Sequence, residues 1–131
     1  MKSMMNYGLL AAIVMSFASV CAEGNLTDVT TSGDFNAKVL QSSRPVVVKF
    51  FAVWCGACKS MKPVIDSIAG ENSSSYDFIA VNVDAGKALA DKYNITGLPT
   101  LVFFKDGKEV GRRVGTGSKS EVVAAIKKSL G

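Results

Sequence analysis

The chain has 131 residues, 48% of them apolar, which is enough for one domain with an ordinary packed core. Its 15 basic and 11 acidic residues give a net charge of +4, and the basic residues are scattered rather than gathered into a run, which argues against nucleic acid as a partner. There is no histidine. The usual neutral-pH general base, Ser/His and Cys/His catalysis and Cys/His zinc sites are thereby excluded.

Lys2 precedes an apolar stretch over residues 8–20 that ends in small residues and turns polar at Glu23, the pattern of a secretory signal. The stretch falls well short of the ~20 residues that a membrane-spanning helix needs. Val20-Cys21-Ala22 is an acceptable cleavage site, so residues 1–22 are expected to be a signal peptide and residues 23–131 the mature domain. Two alternatives stand beside this: an uncleaved anchor, and a lipoprotein acylated at Cys21, against which Val20 is bulky for the position before such a cysteine. Export would be to the periplasm in a bacterium, and otherwise to the secretory pathway or the cell exterior. It leaves Cys55 and Cys58 in a compartment where disulfides persist. Membrane association beyond export is expected only if Cys21 carries a lipid.

In chain order, residues 26–29 predict a short strand and residues 34–41 a short helix with Phe35, Val39 and Leu40 near one face. Pro45 opens a nearly unbroken apolar run over 46–53, the pattern of a central strand covered on both faces and interrupted only by Lys49. From Cys55 the period becomes helical through Ala57, Met61, Val64, Ile65 and Ile68 as far as Gly70; Pro63 lies inside and deletes one backbone hydrogen bond. Residues 78–83 predict a second buried strand and 87–93 a helix. Strands over 100–105 and 108–114 flank Asp106-Gly107, a strong hairpin turn because type I′ requires positive φ at both central residues. Ser118 and Glu121 are spaced as a capping box, opening a closing amphipathic helix with Val122, Ala125, Ile126 and Leu130 on one side and Lys127 and Lys128 at its negative end. This order predicts an α/β domain, a mixed sheet with helices on both faces.

Cysteines at i and i+3 in the first turn of a helix face the same side, where the helix N-terminus supplies partial positive charge and free N–H groups. Both favour thiolate: a free cysteine near pKa ~8.5 is only slightly ionised at neutral pH, whereas CxxC pairs at helix starts reach ~3.5 to 7. Cys55, nearer the helix start and after Trp54, is expected to be the exposed attacking sulfur, and Cys58 the buried resolving thiol. The competing roles are weaker. A zinc site lacks two of its four ligands unless a dimer closes it, a purely structural disulfide over so short a loop stabilises little, and the pair could also be two unrelated buried thiols.

Trp54-Cys55-Gly56-Ala57-Cys58-Lys59, then Pro63, Gly97-Leu98-Pro99-Thr100 and Gly115, resemble the thioredoxin family along the whole mature chain. The resemblance implies a thioredoxin fold with a central mixed sheet of four to five strands, a redox-active disulfide between Cys55 and Cys58, and Pro99 as a cis proline beside them. It further implies a substrate-docking surface at Trp54, Gly97, Leu98, Pro99 and Gly115. Two departures stand out. Ala57 replaces the proline usual between the cysteines, which adds a backbone donor near the sulfurs and makes the disulfide a better oxidant. Lys49 replaces the buried acid that assists proton transfer at the inner thiol, and Ala80 replaces its lysine companion.

Gly56, Ala57 and Lys49 are thus the expected redox-tuning positions. Lys49 could stabilise a thiolate as a cation, accept the proton of Cys58 after burial lowers its pKa, or merely snorkel out of the sheet or pair with an unrelated carboxylate. The expected activity is an extracytoplasmic thiol:disulfide oxidoreductase, in the first instance a reductant, acting on protein thiols and disulfides with an upstream electron donor or acceptor protein. It is expected to work as a monomer with no cofactor and no metal. A disulfide oxidase or isomerase of the same fold and a non-enzymatic binding module are the alternatives.

Overall fold

The computed structural model describes residues 26–131; the expected signal peptide, its cleavage site and Cys21 lie outside the described residues. In order the elements are β1 (Thr27–Asp28), α1 (Ser32–Phe35) continuing into a π-helical turn (Asn36–Leu40), β2 (Val46–Phe51), α2 (Gly56–Glu71), β3 (Asp77–Asn82), α3 (Lys87–Lys92), β4 (Thr100–Lys105), β5 (Lys108–Val114) and α4 (Lys119–Leu130). The five strands form one sheet in the order β1-β3-β2-β4-β5. β3 is parallel to both β1 and β2, while β4 is antiparallel to β2 and β5. The mixed α/β sheet expected from the sequence is the one observed, with five strands.

The apolar run through β2 is explained by its central place, because strand side chains alternate between faces and both faces here are covered. Val46, Val48 and Phe50 point to one side, into a core with Phe35, Val39, Ile79, Leu89, Val102 and Phe104 from α1, its π-turn, β3, α3 and β4. Val47 points to the other, into a core with Met61, Ile65, Ile68, Phe103, Val122 and Ile126 from α2, α4 and β4. Each such fully buried side chain is worth about 1.5–3 kcal/mol of transfer free energy. The same alternation sends Lys49 to the α2 side.

Local chemistry sets the element ends. The first helix begins earlier than the sequence pattern suggested, because Thr31 caps it by accepting from the N–H of Asp34 at 3.1 Å. The apolar run predicted to reach residue 53 stops pairing at Phe51, where the chain turns toward the cysteines. At the β4–β5 hairpin Asp106 and Gly107 have φ of 53° and 78°, as a type I′ turn demands. Ser118 and Glu121 form the reciprocal capping box at α4. Behind the sheet Tyr93 lies 5.2 Å from the ring of Phe35 and 5.5 Å from that of Phe104, centroid to centroid. That cluster anchors the end of α3 and the loop that follows it.

Candidate active site

The exit of β2 sets the site. After Phe51 the chain turns through Ala52, whose carbonyl accepts from the Cys55 N–H at 3.2 Å, and Cys55 then stands in extended conformation as the N-cap of α2. Helical geometry begins at Gly56, so Cys55 precedes the first turn and Cys58 is its third residue. The Cys55 sulfur does what a serine or aspartate does at this position: it accepts the N–H of Cys58, at 3.1 Å. Both cysteines stand as free thiols.

The expected contrast in exposure is not found. Cys55 is 7% and Cys58 8% exposed, so both are buried, because Ala52 and the flanking Phe51, Ala57 and Leu98 pack around the pair. What distinguishes them is chemistry. Burial pushes the Cys58 thiol above its ordinary pKa, helped by its hydrogen bond with Cys55 and opposed by a backbone bond from Ala52 and by the charge of Lys49. The inner thiol is therefore harder to ionise than a free cysteine.

In front of Cys55 a cavity of about 420 Å³ is lined by Trp54, Val83, Ile95, Thr96, Gly97 and Leu98. The Leu98–Pro99 peptide is cis. The Pro99 carbonyl accepts the Gly115 N–H at 2.8 Å, and the Thr100 hydroxyl donates to the Gly97 carbonyl at 2.6 Å, fastening the loop to the head of β4 and the end of β5. Gly115 holds φ of 95° with open space where a side chain would stand, which is the room an approaching chain needs. Trp54, 67% exposed, is held from behind by its indole N–H donating to Asp84 at 2.8 Å. Val114, 56% exposed, stands beside Gly97, while Val53, 66% exposed, lines the cavity on the Lys49 side. The residues singled out by sequence, Trp54, Cys55, Gly97, Leu98, Pro99 and Gly115, are thus brought to one face. Asp84 and Val53 were not singled out.

On the other side of Cys58 a second cavity, of about 430 Å³, holds Lys49 together with Asp28, Lys62 and Asp66. Lys49 is 7% exposed, with its ammonium 4.9 Å from the Phe51 ring centre. It does not snorkel out. Burial lowers its pKa from the ordinary lysine value of 10.5; Asp66 opposes that most strongly, and Cys58 and Asp28 act in the same direction as Asp66. The acids were missed in the sequence: Asp66 lies two turns beyond Cys58 on α2, and Asp28 reaches the site only through strand pairing.

A family model described as thioredoxin matches residues 26–128. Thioredoxin 1 of Synechococcus elongatus is 40% identical over 100 residues, covering 76% of this chain and 94% of the relative. A thioredoxin of Mycolicibacterium smegmatis is 38% identical over 111 residues, covering 83% of this chain and 99% of the relative. Among solved structures, a chain from a study of thiol resolution in a yeast mitochondrial 1-Cys peroxiredoxin via glutathione and thioredoxin systems superposes with a TM-score of 0.72. It is 26% identical and covers 79% of this chain and 94% of its own.

Proposed function

The chain belongs to the thioredoxin family and is a thiol–disulfide oxidoreductase; from that premise we propose that it works outside the cytoplasm and reduces disulfides of protein substrates through Cys55 and Cys58. The observation that carries this reading is the Cys55 sulfur at the mouth of α2, held by the Cys58 N–H and opening on the cavity beside Trp54, Gly97 and Leu98. A substrate chain lies along the rim of Trp54, Leu98, Pro99 and Gly115, and Cys55 thiolate attacks its disulfide. One substrate sulfur leaves as thiolate and the other stays joined to Cys55. Cys58 then attacks Cys55, releases the second sulfur and closes the Cys55–Cys58 disulfide, which an upstream donor protein reopens.

Lys49 is the proton partner of Cys58 in this scheme. Its lowered pKa and the raised pKa of the thiol bring two proton affinities toward one another across the cavity that both line, the condition under which proton transfer is efficient. The reductive direction is supported by the match to thioredoxins over nearly their full length, which leaves no room for the long insertions of specialised relatives. Export is supported by the charged and apolar pattern of residues 1–22.

Reduction of insulin by the wild-type protein and by Cys55→Ser tests the scheme. Turnover is expected to vanish in the variant, and equal turnover by both would end the assignment of Cys55. The N-terminus of the protein recovered from an exporting host is expected to be Glu23.

A further inference from the structure

The cavity behind Cys58 has an order that neither cysteine requires. Along the sheet, Asp28 of β1 is opposite Ala80 of β3, and Ala80 is opposite Lys49 of β2, so the three stand in one transverse row on the α2 side. Ala80 is small, and the space above it joins Lys49 to the acid beyond. Along α2, Cys58, Lys62 and Asp66 recur at four-residue intervals and all line the same space. Asp66 is the more enclosed member of its ion pair with Lys62: the two are 2.6 Å apart, with the Asp66 side chain 25% exposed and that of Lys62 60%. Asp28 is exposed.

We propose that this cavity is the proton port of Cys58 and that Asp66 is its positioning residue, a carboxylate lining the same space as the Lys49 amine that takes the Cys58 proton. The inference rests on the oxidoreductase reading above and deepens it. With a substrate sulfur bonded to Cys55, the Cys58 thiol gives its proton to Lys49 in those molecules whose amine is deprotonated, a share that burial enlarges. Cys58 Sγ attacks Cys55 Sγ, the bond from Cys55 to the substrate sulfur breaks, and that sulfur leaves as thiolate. The cysteine pair has then lost two electrons to the substrate disulfide, and Lys49, now ammonium, releases its proton through the port to solvent, which protonates the thiolate. The charged groups facing Lys49 across this space are Asp66, Lys62 and Lys59 from α2 and Asp28 from β1; β3 presents only Ala80.

Asp66 and Lys62 oppose one another at Lys49, the carboxylate raising its proton affinity and the ammonium lowering it. Their removal should therefore move the same quantity in opposite directions. Two readouts are followed against pH in the full-length chain: the Lys49 side-chain titration by NMR of the ε-carbon, and the single-turnover rate at which Cys58 resolves a mixed disulfide on Cys55. In Asp66→Asn both midpoints are expected to fall by about half a pH unit or more, and Asp66→Glu is expected to return them toward wild type. In Lys62→Gln both are expected to rise.

A Lys49 midpoint unmoved in Asp66→Asn and Lys62→Gln would overturn the positioning role. A lysine midpoint that moves while the rate profile stays fixed would overturn the proton port. Wild-type protein that fails to turn over insulin at all would instead remove the oxidoreductase scheme on which both rest, so the two failures are told apart. Lys62 lies at the rim, so its substitution keeps the test available should the Asp66 variant fold poorly.

Discussion

Only 7% of Lys49 is exposed, and the fold bears the cost of taking an ammonium out of water. The sign of that cost follows from its lowered pKa. Below the folded-state value the lysine is charged both folded and unfolded, and the folded chain carries the full penalty. As pH climbs through that value toward the ordinary 10.5 the folded chain sheds the proton first, and above 10.5 both states are neutral and the penalty is gone. Lys49→Met is therefore expected to stabilise the domain at pH 7 by ~1 kcal/mol, as apolar replacements of buried charges commonly do. Urea unfolding at several pH values should show the gain shrinking as pH approaches 10.5; a gain that is absent at pH 7 would mean that Asp66, Asp28 and the Phe51 ring compensate the charge in full. Ala57 has the opposite kind of leverage. It is the second residue of α2, where proline is tolerated, and its N–H lies among the unpaired donors of the first turn. Ala57→Pro should remove a backbone donor beside the sulfurs and make the couple more reducing by ~30 mV, equivalent to ~1.4 kcal/mol. Equilibration with glutathione buffers measures it, and an unchanged potential would show that the Cys58 N–H alone governs the sulfur.

At the scale of elements, α4 closes one face of the sheet with Val122, Ile126 and Leu130, and its first turn is fixed by Ser118 and Glu121. The Ser118 hydroxyl accepts the Glu121 N–H at 3.2 Å and the Glu121 carboxylate accepts the Ser118 N–H at 2.8 Å. Ser118→Ala is expected to cost ~1 kcal/mol in denaturant unfolding; a loss near zero would show that packing alone holds the helix. That capping box was readable in the sequence because it is a contact between near neighbours in the chain, and so was the hairpin at Asp106-Gly107, where the turn imposes its own residue types. The start of α1 was equally local, yet Thr31 was passed over because the apolar periodicity begins only at Phe35. The end of β2 was not readable. The apolar run continues to Val53, and what ends the strand is the turn into Cys55, where Val53 is left on the surface.

For the molecule as a whole, the two cysteines, Trp54, Pro99 and Gly115 were legible because each lies in a compact motif. Their exposure was not. Cys55 and Cys58 pack with Phe51, Ala57, Val83 and Leu98, a neighbourhood assembled from three separate segments of chain. The acids around Lys49 were hidden for the same reason, since Asp28 joins it only through a row of three paired strands. The direction of electron flow is likewise a property of the whole domain, because folding shifts the potential of the couple by the difference in stability between its bridged and open forms. An unfolded CxxC segment gains little from closing so short a loop, so nearly all of that difference is native. A reductant requires the bridged form to be the more stable one. Cys58 leans that way: its thiol is buried and resists ionisation, so the open form gains little from charge at that sulfur, while the bridge removes a buried polar group. Urea unfolding of the oxidised and reduced domains at equal pH is expected to place the oxidised form higher by ~1.4 kcal/mol or more, equivalent to a potential at least ~30 mV below that of the unfolded segment. A reduced form that outlasts the oxidised one would reverse the assigned direction and make the protein a disulfide donor, leaving its exchange chemistry at Cys55 and Cys58 intact.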